Sequence, residues 1–141
     1  MCGFVGFINN LNTKNLDKSV ILDMNRALYH RGPDDQSYLK TDKLSLGFSR
    51  LSIIDLNSRS NQQMTTNNQE LIIIFNGEIY NFIELKKELE KFYKFKTLGD
   101  TEVLLNCYKH WGISCLDKIK GMFSFCIYDK KKDILFCSRD H

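Results

Sequence analysis

The chain has little proline, a single tryptophan and no long apolar run. One proline in 141 residues, Pro33, excludes proline-rich linkers and polyproline ligands. No stretch approaches ~18 consecutive apolar residues, so no membrane span is expected. The N-terminus lacks a basic segment followed by an apolar run, so no signal peptide is expected. Repeats, low-complexity tracts and interdomain linkers are also missing. Excess charge is scarce: 20 basic against 17 acidic side chains leave +3. These charges are mixed along the chain and give no ground for a nucleic-acid or membrane partner. The cysteines Cys2, Cys107, Cys115, Cys126 and Cys137 include no CxxC pair, so no metal site is expected. An odd count without a disulfide framework suits a reducing, cytoplasmic setting. Cys107, Cys126 and Cys137 lie in apolar segments and read as small core residues, as does Cys115. A redox-thiol function needs two cysteines within reach, and their spacing offers none.

What is present suits one globular domain. Hydrophobic residues make up 43% and charged residues 26%, ordinary values for such a protein. A chain this long buries roughly 68–70% of its unfolded surface, enough for a core.

The organising stretch is Met1-Cys2-Gly3-Phe4. Removing Met1 would place a thiol nucleophile and a free α-amine on one residue. That amine has a pKa near ~7.7–8.0 and can take the thiol proton directly or through water. The plain alternative is a cysteine at the start of a strand.

Residues 3–8 read as that strand and 9–15 as a loop. Val20, Ile21, Met24, Ala27 and Leu28 recur at helical spacing, which predicts an amphipathic helix over 17–29. His30-Arg31-Gly32-Pro33-Asp34-Asp35 is a rigid turn. Strands are expected over 36–39 and 44–48. Arg50 closes the second, either as a solvated strand end or as a fork for a substrate carboxylate. Residues 57–69 are polar and loop-like. Leu71–Phe75 is β-branched and apolar throughout, as in a strand buried on both faces. It runs into Asn76-Gly77, read as a turn by default, or as a backbone N–H and an amide able to hold an oxyanion. Asn81 and Glu84 resemble a capping box, followed by a helix with Phe82, Leu85, Leu89 and Phe92 on one face. Asp100 is placed to N-cap a helix over 101–111. Strands over 122–128 and 134–137, apolar on both faces, flank a charged, solvated turn. Sheets buried on both faces lie between other layers. A helix–sheet–sheet–helix sandwich fits, and antiparallel hairpins favour it over a doubly wound α/β sheet.

Several motifs occur together in this order: Met1-Cys2-Gly3, Arg31-Gly32-Pro33-Asp34, Arg50-Leu51-Ser52-Ile53-Ile54-Asp55, Asn76-Gly77-Glu78-Ile79-Tyr80-Asn81, Gly99-Asp100-Thr101-Glu102-Val103, Gly121-Met122-Phe123 and Arg139-Asp140-His141. Together they resemble the glutaminase domain of class II glutamine amidotransferases, with a close likeness to glutamine-hydrolysing asparagine synthetase. The resemblance covers nearly the whole chain. Relatives acting on fructose 6-phosphate usually have a different turn after the arginine-glycine and a tryptophan after the substrate arginine. Here those positions hold Pro33 and Leu51.

The resemblance implies an α+β, four-layer αββα N-terminal-nucleophile hydrolase fold over residues 1–141. It implies that Cys2 attacks glutamine, with Asn76 and Gly77 as oxyanion donors. Arg50 would bind the α-carboxylate, Glu78 and Asp100 the α-ammonium, and backbone around Leu51, Ile53 and Ile54 would line the pocket. Arg31 would support the nucleophile strand. The glutaminase step would need no cofactor; ATP and Mg belong to a separate synthetase domain, acting in cis or in trans. Glutamine is the expected substrate, with aspartate the most common ammonia acceptor. Homodimer formation stays open. The family's domain continues past the Arg139-Asp140 motif, so the resemblance also implies truncation at the C-terminus. A non-catalytic remnant that binds glutamine or a partner chain is the alternative expectation.

Overall fold

A computed structural model describes residues 2–9, 18–54 and 56–141. Part of the expected 9–15 loop, Asp17 and Asp55 lie outside them. The chain divides into two units, Met1–Ser52 and Ile53–His141.

The first unit holds β1 (Gly3–Ile8), α1 (Lys18–Arg26), β2 (Asp35–Lys40) and β3 (Leu44–Arg50). Its antiparallel sheet has the order β1-β3-β2. As the central strand, β3 is buried at every residue. Gly3 lies opposite Ser49 and Asp35 opposite Arg50. α1 packs on this sheet and buries Ile21 and Asn25, one turn apart on one face. The buried asparagine was not anticipated from the apolar spacing. Its Nδ2 donates to the carbonyls of Ser37 and Phe48 at 3.2 Å each, and its Oδ1 accepts from the Ser49 hydroxyl at 3.1 Å. Burying an amide is tolerable only with its partners supplied. α1 stops at Arg26, three residues before the expected end. Tyr29–Arg31 instead form one 3-10 turn leading into the Gly32-Pro33 segment.

The second unit holds β4 (Met64–Thr65), β5 (Leu71–Ile79), α2 (Phe82–Leu89), α3 (Asp100–Trp111), β6 (Gly121–Asp129) and β7 (Ile134–Arg139). Its antiparallel sheet has the order β4-β5-β6-β7. α3 packs on α2 and β5, and the core gathers Ile73, Phe75, Ile79, Leu89, Val103, Leu104, Phe125 and Ile127. The β-branched centre of β5 is buried on both faces, with Ile72, Ile73 and Ile74 each at most 1% exposed.

Five local expectations change. Asn76-Gly77 is not a turn: β5 continues through both residues to Ile79, because β6 pairs with it along its whole length. The polar 57–69 stretch is not a plain loop. It contains β4, and Ser60, Gln62, Met64 and Thr66 are buried. Asn81 makes no side-chain cap; its amide instead donates to Lys118 O and accepts from Lys120 N, both at 2.9 Å. Phe92 lies beyond the end of α2 and is 60% exposed. The turn after β6 is only partly solvated: Asp129 is 5% exposed, accepts the Lys132 N–H at 3.0 Å and pairs with its ammonium at 3.5 Å.

The cysteines divide differently from expectation. Cys107 and Cys115 are fully buried, but Cys126 is half-buried and Cys137 is exposed. The last two face each other across β6 and β7, with their sulfurs 2.9 Å apart. Eleven residues of separation hide this proximity, which only the hairpin register creates.

Candidate active site

The residues singled out in sequence fall into two groups, one in each unit. In the first unit Cys2 immediately precedes β1 and is half-buried. Its sulfur accepts the Leu51 N–H at 3.3 Å and lies 3.5 Å from the Leu51 carbonyl. This contact follows from register. Gly3 pairs with Ser49, so the antiparallel register carries Cys2 opposite Arg50, the end of β3 and the immediate neighbour of Leu51. Arg31 Nε donates to the Cys2 carbonyl at 3.1 Å, tying the 3-10 turn to the segment that leads into β1.

The Arg-Gly-Pro-Asp turn lies against the end of β3. A Cβ on Gly32 would sit 2.3 Å from the Ser49 carbonyl oxygen, so only glycine permits this approach. The Asp34 N–H donates to Arg50 O at 3.0 Å, and its carboxylate accepts from Ser52 N–H at 2.7 Å. These bonds fix the backbone on both sides of Leu51. Arg50 itself is 7% exposed, so its guanidinium is held inside the fold and is no solvated strand end.

In the second unit Asn76, Gly77 and Glu78 lie on β5. Gly77 has φ of +154°, and a Cβ there would fall 2.2 Å from the Met122 carbonyl oxygen. Among the described residues Asn76 Oδ1 is buried without a hydrogen-bond partner, an uncommon state for a buried polar atom. Glu78 is exposed. The carboxylate of Asp100 accepts the Ile79 N–H at 2.9 Å. Gly99 takes the N-cap position, and Asp100 is the first residue of α3. Burial pushes the Asp100 carboxyl upward; N–H groups of Ile79, Asp100 and Thr101 oppose this, while Glu78 adds to it. The structure therefore brings Glu78 and Asp100 together. Ile53 is 69% and Ile54 40% exposed.

The bonding of two further residues, Gln62 and Glu102, escaped sequence reading. Gln62 lies in the polar stretch yet is 6% exposed. Its amide accepts from Phe75 N at 2.6 Å and donates to Phe75 O at 3.0 Å, and Nε2 lies 3.3 Å from the Thr101 hydroxyl. It bridges the residue before Asn76 to the residue after Asp100. Glu102 accepts from Thr97 N–H and hydroxyl at 2.7 Å each. Asp100-Thr101-Glu102 thus makes three consecutive ties, to β5, to Gln62 and to the loop before α3. The motif itself was visible in the sequence; its bonding was not.

Two antiparallel sheets carrying helices, with a half-buried cysteine at the head of the first strand, define an α+β protein of the N-terminal-nucleophile hydrolase class. The chain belongs to the class II glutamine amidotransferase domain family: the glutamine amidotransferase domain profile matches residues 1–141. It is 44% identical over 143 residues to asparagine synthetase [glutamine-hydrolyzing] 1 of Bacillus subtilis, covering 99% of this chain and 22% of that protein. It is 42% identical to putative asparagine synthetase [glutamine-hydrolyzing] 2 of Methanocaldococcus jannaschii, covering 99% and 30%. Among solved structures it resembles the glutamine phosphoribosylpyrophosphate amidotransferase of B. subtilis complexed with ADP and GMP. That likeness has a TM-score of 0.52 and 27% identity, over 62% of this chain and 21% of the other. The chain spans less than a third of the length of these relatives.

Proposed function

We propose that this chain is a glutaminase domain that releases ammonia from glutamine for an ATP-dependent amidation. Removal of Met1 exposes the Cys2 α-amine. The thiol adds to the side-chain amide carbon of glutamine as its proton passes to that amine. Asn76 Nδ2 and the Gly77 N–H hold the oxyanion; losing such a donor typically costs ~10²–10³ in rate. The C–N bond breaks, the amine returns its proton to departing ammonia, and a γ-glutamyl thioester remains. Water cleaves the thioester to glutamate and restores the thiol. Arg50 takes the substrate α-carboxylate, Glu78 and Asp100 take the α-ammonium, and backbone around Leu51, Ile53 and Ile54 lines the glutamine site. Arg31 positions Cys2 through its carbonyl.

The carrying observation is the Cys2 sulfur held 3.3 Å from the Leu51 N–H beside buried Arg50. Family membership supports the same chemistry. The asparagine synthetase names of the relatives support aspartate as acceptor and a synthetase domain, in cis or in trans, as partner. ATP and Mg belong to that domain. Among the described residues no three His, Cys, Asp or Glu side chains gather as a metal site, and no step in this chain is routed through either group. A cytoplasmic setting accords with this reading. Among the described residues no helix is long and apolar enough to cross a membrane.

Intact mass spectrometry before and after a glutamine-analogue electrophile, diazo-oxo-norleucine, tests the proposal. A mass lacking Met1 and one adduct that disappears in Cys2→Ala are expected. Retained Met1, or a folded protein that takes no adduct, overturns it.

A further inference from the structure

We propose that Cys126 and Cys137 form a reversible disulfide site that pins β7 to β6, independent of glutamine chemistry. The two residues are direct cross-strand partners in the β6–β7 hairpin. Directly opposed residues in an antiparallel pair have Cα atoms about 4.5 or 5.5 Å apart, and both values lie inside the roughly 4.4–6.8 Å range that a disulfide spans. Their sulfurs already face each other at 2.9 Å, so closure requires little backbone movement. Cys107 and Cys115 differ in being fully buried.

Exposure assigns the two thiols separate tasks. Cys137 is open to solvent and Cys126 is half-buried. A soluble disulfide therefore reaches Cys137 first. Burial first, and the facing sulfur second, push the Cys126 thiol up to about 12, which leaves Cys126 the weaker nucleophile toward a disulfide in solution. The oxidant is a small-molecule disulfide. Cys137 thiolate attacks one of its sulfurs, breaking that S–S bond and releasing one small thiol, which takes up the Cys137 proton. Cys126 then attacks the Cys137 sulfur of the mixed disulfide. The mixed S–S bond breaks and a second small thiol leaves with the Cys126 proton. Two cysteine thiols are oxidised and one small disulfide is reduced to two thiols.

The test treats the purified full chain with oxidised glutathione, blocks remaining thiols with an alkylating agent, and maps peptides without reduction. A Cys126–Cys137 cross-link is expected, with loss of the two thiol hydrogens and full reversal by dithiothreitol. Cys126→Ser is expected to stop at a stable glutathione adduct on Cys137. Cys137→Ser is expected to leave Cys126 unmodified. Circular dichroism of each sample establishes that the hairpin is read in folded protein. A wild-type chain that keeps the mixed disulfide on Cys137, or leaves both thiols free while folded, overturns the proposal. So does a cross-link joining Cys126 or Cys137 to another cysteine instead.

Discussion

Asp100 shows how burial and partners oppose each other at one carboxylate. Its carboxyl is raised above the ordinary 3.8 by burial, despite three backbone N–H groups that favour its charge. The folded state thus binds this proton more tightly than the unfolded chain. Its contribution to stability is present in full below pH 3.8 and is lost as pH rises through the raised folded value. Asp100→Asn keeps an oxygen for the Ile79 N–H and removes the buried charge. Its urea midpoint should exceed that of the wild type at neutral pH, with the gap closing in acid; a gap that widens in acid would refute the sign. Gln62 behaves differently, because it satisfies both polar groups of Phe75. Gln62→Leu leaves them unpaired, for an expected loss of about 1–3 kcal/mol in urea unfolding. Burial holds the Cys107 thiol at about 12 and the Cys115 thiol at about 11. Iodoacetamide at neutral pH should therefore label Cys2 and Cys137 well before either, as read by timed peptide mapping.

At the scale of elements, pairing along β5 governs Asn76 and Gly77, the proposed oxyanion donors. Full-length pairing with β6 carries the strand through Asn76-Gly77, and the close approach there is possible only without a side chain. Gly77→Ala would force its methyl into the Met122 carbonyl, 2.2 Å away, in a backbone conformation that alanine rarely adopts. We expect a loss of about 3 kcal/mol, near the top of the usual range for single substitutions, measured by chemical denaturation. A loss below about 0.5 kcal/mol would mean that β5 and β6 separate easily at this point. Chain pattern foretold β5 as a strand because apolar runs report burial. It missed where the strand ends because Asn-Gly is ambiguous until a neighbouring strand supplies hydrogen bonds. α1 shows the converse: periodicity located the helix, but the buried face includes Asn25, whose acceptable burial depends on carbonyls from two strands.

For the whole molecule, the proposed glutaminase role predicts ligand linkage. Glutamine should raise the thermal midpoint of the full chain, with a stabilisation of about 2.7 kcal/mol at a hundredfold excess over Kd. ATP with Mg should produce no shift, since their site is assigned to the synthetase domain. Differential scanning fluorimetry of Cys2→Ala, which lacks the proposed nucleophile, reads binding without hydrolysis. No glutamine shift in that variant would argue against the assigned substrate.

Sequence by itself determined the α+β class, the positions of most strands and helices, and the family, because ordered motifs and apolar periodicity are local properties of the chain. It also named Cys2, Arg31, Arg50 and Asp100 as residues to inspect. Tertiary structure decided what those residues touch. The Leu51 N–H reaches the Cys2 sulfur because β1 and β3 share a register; Gln62 reaches Phe75 because a polar stretch folds inward. Cys126 meets Cys137 because a hairpin sets them opposite each other. Each contact depends on hydrogen-bonded partners distant in sequence, and spacing along one strand carries no record of them.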